Sequence, residues 1–190
     1  FLSLSLGALF FVLIQYAVQG GWGIVLRRIG ETIFVMLPVM AALFLPVLLG
    51  LHDLYEWTHA DAVAQDALLQ WKAPYLNVPF FLIRAAPYFG LWSFIAVLYY
   101  RGSRGQDVTG VPGVSARLRR LAGPSIIVLA LTQTFASVDW IMSLTPHGYS
   151  TMFGVYFFAG SFVGFIALLS VVAVALRRAG LLDTVISADH

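Results

Sequence analysis

The sequence predicts an all-α integral membrane protein, a polytopic bundle of transmembrane helices. Three observations carry that expectation. Of 190 residues, 60% are hydrophobic and only 11% charged, and the mean hydropathy is +0.87; a water-soluble core of this size does not need so much apolar surface. Several apolar runs continue without alternation for about 20 residues, the length a helix needs to cross a bilayer. Segments of roughly 10 residues alternating apolar and polar, the mark of a membrane barrel, are absent. Five helices are expected, over about 1–22, 31–51, 78–100, 121–144 and 152–176, forming one transmembrane domain.

The first helix weakens at Gly20-Gly21-Trp22-Gly23. Gln15 and Gln19 lie four apart on one face, spacing suited to hydrogen bonds across a helix interface. The second helix contains Pro38 and Pro46, each of which frees a carbonyl one turn back and permits a kink. Glu31 is expected in its first turn, where the positive helix end favours an acid. Arg27 and Arg28 are its natural partners, and a proton-carrying role is the competing assignment. Residues 52–77 leave the hydrocarbon as an acidic loop with interfacial aromatics Tyr55, Trp57, Trp71 and Tyr75. A short interfacial helix fits its second half.

The third helix carries Arg84, six residues in and therefore ~9 Å below its start. Pro87 removes the hydrogen bond to the Ile83 carbonyl beside it. A polar loop, 101–120, holds five arginines. Pro124 is expected in the first turn of the fourth helix, where proline is tolerated. Ser150 and Thr151 are candidate N-caps for the fifth, in which Gly160 and Gly164 form a small-xxx-small pair suited to close helix packing.

Five helices place the segments 27–28, 101–120 and 177–178 on one side, together with nine of the eleven basic residues. The positive-inside rule makes that side cytoplasmic, with the acidic loop and the 145–150 turn outside. The chain opens at Phe1 inside an apolar run, without a charged leader, and closes at Ala188-Asp189-His190 without a cap. It therefore reads as an internal piece of a longer protein.

Chemistry is sparse. The absence of cysteine excludes disulfides, thiolate-ligated iron–sulfur clusters and covalent c-type haem. His52, His59, His147 and His190 fall at helix ends or in loops, so no axial haem pair and no metal set is expected. There is no phosphate-binding glycine loop and no nucleophile with a base beside it. The basic loop suits topology and lipid headgroups better than nucleic acid.

The one costly feature is Asp139, five residues before the expected end of the fourth helix and so ~7–8 Å deep. Arg84 lies at similar depth in the preceding antiparallel helix. Each charge alone costs ~2.5–3.5 kcal/mol at mid-helix on insertion scales, and pairing offsets much of that. An Arg84–Asp139 ion pair, or a shared water-filled pocket, is expected. It either fixes helix register or forms a proton relay or the polar end of a quinone pocket. Thr132, Ala136, Asp139 and Ser143 share one helix face, a stripe that would extend such a relay, as would His52 and Asp53 on the same side.

The run SVDWIMSLTPHGYSTMFGVYFFAG (137–160) closely resembles a signature of the ActF membrane subunits of bacterial alternative complex III, a quinol:cytochrome c oxidoreductase. RRIGE (27–31), LYEWTH (54–59), KAPYLNVPFFLIR (72–84) and SRGQD (103–107) resemble further family segments in the same order. The chain departs from the pattern at Gly148, where the family carries a bulky aromatic, and His190 resembles the start of the next family stretch. The resemblance implies part of a larger NrfD-like (polysulfide-reductase-type) helix bundle beside a sister subunit, ActC. It implies electron transport from quinol in a respiratory chain, with haem c and iron–sulfur clusters held by partner subunits and no redox centre here. The resemblance sets the chain in the bacterial inner (plasma) membrane and puts the quinol site near the clusters in ActC. Assembly or proton translocation, with quinone binding as the further alternative, would thus be this subunit's part, with Asp139 and Arg84 at motif positions. The competing expectation from the residues alone is a secondary-transporter fragment with Pro-kinked helices around an intramembrane Arg–Asp pair.

Overall fold

The computed structural model describes residues 1–20, 23–109 and 113–180, and His190 lies outside them. It is an all-α bundle. It contains five apolar helical rods, and four of them, Leu26–Leu49, Val78–Asp107, Gly113–Leu144 and Phe153–Arg178, are long and apolar enough to cross a membrane. The fifth, α1 (Leu2–Val18), is apolar but shorter. The length and apolar composition of these helices make the chain a membrane-embedded protein.

Helix α1 is the central rod and packs on α2 (Ile24–Phe34), α9 (Gly113–Trp140) and α10 (Phe153–Arg178). Helix α8 (Val78–Thr109) packs along α9. Leu6, Leu9, Leu13, Phe34, Trp92, Tyr99, Leu129 and Phe165 fill the space between them. Leu43, Leu49, Phe94, Ile127, Val163 and Val171 point outward and are exposed. Apolar side chains on both the inside and the outside are what a bundle solvated by lipid requires.

The expected second helix is a broken rod. It begins at Ile24, passes through α3 (Leu37–Leu43) and α4 (Leu45–Leu49), and ends in α5 (Leu51–Leu54). Pro38 and Pro46 each occupy the first turn of a new segment, where a missing N–H leaves no intrahelical bond unmade. The early start moves Glu31 out of the first turn, so the helix-dipole argument does not apply to it.

The expected loop 101–120 is mostly helix, since α8 continues to Thr109 and α9 starts at Gly113. Arginine, glutamine, leucine and alanine are good helix formers, and beyond the hydrocarbon water solvates their polar faces. Pro124 consequently falls inside α9. Residues 52–77 carry a 3-10 turn at Glu56–Thr58 and two short helices, α6 (Ala60–Gln65) and α7 (Ala67–Lys72), where one was expected. Asp66 caps α7, accepting from the Leu68 and Leu69 N–H groups at 2.8 and 3.3 Å, as a side-chain acceptor at an N-cap does.

The glycine pair also needs correction. A Cβ on Gly160 would meet nothing within 4 Å, and one on Gly164 would make only ordinary contact with Leu4 at 3.4 Å. The tight approach comes from the opposite helix. A methyl on Gly7 would run into the Ser161 carbonyl and the Phe165 Cβ. Glycine is required on α1; on α10 Gly160 is exposed, and Gly164 meets α1 only in loose contact with Leu4.

Candidate functional site

Polar side chains gather at two ends of the bundle. At the end bearing residues 52–77 and the 145–150 turn, Asp139 is 1% exposed. Its carboxylate accepts four hydrogen bonds. Arg84 donates two, from Nε to Oδ2 at 2.8 Å and from Nη2 to Oδ1 at 3.1 Å. Tyr75 Oη donates to Oδ1 and Tyr88 Oη to Oδ2, each at 2.8 Å. Such bidentate, charge-assisted pairing is the strong form of an ion pair, and the two phenols complete the satisfaction a buried carboxylate needs.

Neighbouring groups hold this constellation in place. Arg84 also donates from Nη1 to the Tyr75 carbonyl at 3.1 Å, and its guanidinium lies 3.9 Å from the Tyr75 ring centroid and 4.2 Å from that of Phe80. Ser143 Oγ donates to the Asp139 carbonyl. Tyr55 Oη donates to the Trp140 carbonyl at 2.9 Å. Burial, then the hydrogen bond to Asp139, pushes the Tyr75 phenol up to about 12. Burial, then the Asp139 charge, does the same for Tyr55. Both hydroxyls therefore remain donors across any physiological pH.

Beside this centre is a cavity of about 310 Å³ whose walls include Trp71, Tyr75, Leu76, Val138, Met142 and Ser143. The two sides of its rim, around Lys72 and Pro146, are fastened together. Lys72 Nζ donates to the Pro146 carbonyl, and His147 Nε2 meets Asp66 Oδ2 at 2.8 Å. Gly148 lines the cavity as well, so a bulky aromatic there would occupy part of this space.

The other expected relay members lie apart from Asp139. Thr132 Oγ accepts from Trp92 Nε1 at 2.8 Å and donates to the Val128 carbonyl at 2.7 Å. Trp92 thus meets Thr132 as Tyr88 meets Asp139, and the rings of Tyr88, Trp92 and Trp140 pack edge-on or stacked on one another. His52 and Asp53 are exposed. His52 contacts Thr58 at 3.2 Å and stacks on His59 at 3.9 Å, with no bond to Asp139.

Glu31 is at the opposite end. It is fully buried and meets both Arg27, at 3.5 Å, and Arg28, at 2.8 Å. Arg28 also contacts the Ser103 carbonyl and Asp107, which ties the start of α2 to the end of α8. Tyr88 and Ser103 are fifteen residues apart on α8, so the two acids lie roughly 20 Å apart along the axis. Around Glu31, Tyr16 Oη, Arg27 Nε, Glu31 Oε1 and Ser103 Oγ are buried without an aligned hydrogen bond.

Two members of the Asp139 centre escaped the sequence reading. Tyr88 stands four residues after Arg84, on the same face of one helix, and that spacing was a usable signal. Tyr75 comes from the segment before α8, where no periodicity points to it. Among the described residues, no three of His, Cys, Asp and Glu converge as a metal-ligand group. No protein-family model and no curated protein matches the chain.

Proposed function

We propose that the chain is a membrane-embedded subunit of a respiratory quinol:electron-acceptor oxidoreductase of the alternative complex III type, set in the bacterial inner membrane with its arginine-rich end in the cytoplasm. It acts through assembly and site shaping, and redox groups belong to partner subunits. One observation carries this reading. Two of the segments that resemble that family, 72–84 and 137–160, meet at one buried carboxylate and form the walls of one cavity.

In this proposal Asp139 works first as a fixed anion. Both its oxygens are taken by donors, so it docks the extramembrane segment through Tyr75, α8 through Arg84 and Tyr88, and thereby shapes the cavity. A proton on Asp139 would force one of these donors to let go, so the clamp is favoured over an open relay. The cavity walls are apolar and aromatic with a few polar atoms, the make-up of a small-molecule site. A quinone ring is the ligand this reading places there.

The test is purification of the full protein from its native membrane. Co-purification with haem- and iron–sulfur-containing subunits, together with labelling of residues 138–148 by a photoreactive quinone analogue, is the expected result. A preparation free of such subunits that catalyses solute exchange in vesicles would overturn the proposal in favour of a transporter.

A further inference from the structure

Some arginines of the basic end are engaged by the protein and others are not. Arg27 and Arg28 hold Glu31, Arg28 also reaches Asp107, and Arg104 donates to the Tyr100 hydroxyl at 3.1 Å. Arg101 and Arg117 are exposed, and neither has a protein partner among the described residues. They belong to different helices, α8 and α9, yet both line a single groove of about 480 Å³.

The rest of that groove is apolar, with walls of Phe94, Val97, Leu98 and Val114. Its floor is Leu118, which packs so close to Gly102 that a Cβ there would sit 3.0 Å from the leucine Cδ1. From Phe94 to Arg101 the groove follows the helix for roughly 10 Å, and Arg101 lies ~35 Å from the start of α8 at Val78. A hydrocarbon core is ~30 Å thick. The two guanidiniums therefore stand at the headgroup level of one leaflet, with the apolar channel running from them toward the bilayer centre.

We infer that the α8–α9 groove is a binding site for one anionic glycerophospholipid, with its phosphate between Arg101 and Arg117 and an acyl chain along Phe94, Val97 and Leu98. Three features select this occupant. Two unpaired guanidiniums present fork-shaped donors suited to a phosphate diester. The channel continues from them as apolar surface, which a soluble anion would leave exposed. Phe94 at the groove is also largely exposed, as an apolar side chain that meets an acyl chain would be. Basic pockets between membrane helices bind such headgroups by this combination. The site lies at the far end of the molecule from the Asp139 cavity and stands without any assignment of the protein's function.

Native mass spectrometry of the full protein in mild detergent, titrated with phosphatidylglycerol or phosphatidylcholine, tests the inference. A single phosphatidylglycerol should be retained at least about tenfold more tightly than phosphatidylcholine, since each arginine near a headgroup contributes roughly fivefold. Arg101→Gln with Arg117→Gln should abolish that preference, and Arg101→Lys with Arg117→Lys should keep much of it. Arg177→Gln with Arg178→Gln, which removes the same charge outside the groove, should leave retention unchanged. Equal loss from both glutamine pairs would reduce the effect to general electrostatics and overturn the site. Displacement of the lipid by inorganic phosphate would overturn it too, because the apolar channel would then contribute nothing. All four arginines are exposed, and melting in phosphatidylcholine nanodiscs verifies that the variants fold.

Discussion

Asp139 and Glu31 are both acids removed from solvent inside a lipid-facing bundle, and they are stabilised in opposite ways. Asp139 is saturated, with a bidentate arginine and two phenols on one carboxylate. Glu31 has two arginines, but its own Oε1 and three polar atoms around it lack an aligned partner. Asp139 joins a membrane helix pair to an extramembrane segment, whereas Glu31 joins two helix ends beside water. Burial alone does not rank charged sites; what matters is how many of their lone pairs are filled. On this comparison the Asp139 end should be rigid and intolerant, and the Glu31 end tolerant, because water and Asp107 can take over.

The largest expected effect follows directly. Asp139→Asn leaves the Arg84 guanidinium, only 11% exposed, without its counter-ion, and should cost about 3–5 kcal/mol in denaturant unfolding of the solubilised protein. Combining it with Arg84→Gln should recover part of that loss, with a coupling of about 1–3 kcal/mol. Strict additivity would mean that the two charges are neighbours without being partners, and the contrast with Glu31 would collapse.

Next come the phenols. Tyr88→Phe removes a buried donor to a charged acceptor and should cost about 1.5–3 kcal/mol. Tyr75→Phe should cost about 0.5–1 kcal/mol, because Tyr75 is 37% exposed and water replaces its hydroxyl. Equal losses would show that the outer side of the clamp is as dry as the inner one. The Tyr75 phenol has a folded-state pKa above its unfolded value near 10, at about 12. Its contribution is therefore complete below pH 10 and lost as pH rises through about 12, so melting curves between pH 6 and 9 should not register it.

Glu31→Gln should be milder still, about 1 kcal/mol. Glutamine keeps the shape and an acceptor, and Arg27 and Arg28 have side chains 19% and 36% exposed, within reach of water. A loss matching that of Asp139→Asn would refute the tolerant reading of this end.

How much of this was legible in the sequence depended on whether one helix sufficed to make the argument. Arg84 and Asp139 yielded to counting, because a rise of ~1.5 Å per residue places both charges at one depth. Pro38 and Pro46 marked the interruptions correctly, although the rod divides where kinks were expected. The faces were harder. Gly160 and Gly164 have packing spacing, but spacing does not say which way a helix is turned, and the contact belongs to Gly7 and Ser161. Thr132 sits on the Asp139 face, yet Trp92 from another helix claims its hydroxyl. The 101–120 segment looked like a loop because it is polar; polarity ends a hydrophobic span without ending a helix.

The smallest effect concerns the exposed rim of the rigid end. The burial Asp66 has raises its carboxyl pKa, but the Leu68 and Leu69 N–H groups and the neighbouring His147 outweigh it and hold the carboxyl below its usual range. A depressed folded-state pKa means that the contribution is present above the unfolded value near 4 and lost as pH falls through the folded one. Acid should therefore release α7 and the 145–150 turn before it disturbs the buried centre. Hydrogen exchange at Leu68 and Leu69 should quicken below pH 4 while the Asp139 end of α9 stays protected. Asp66→Asn, which keeps a capping oxygen but not the charge, should remove most of that pH dependence and leave the cap. If α9 loosened in step with Leu68 and Leu69, the rim and the buried carboxylate would form one cooperative unit, and the rigid end would begin at the surface rather than at Asp139.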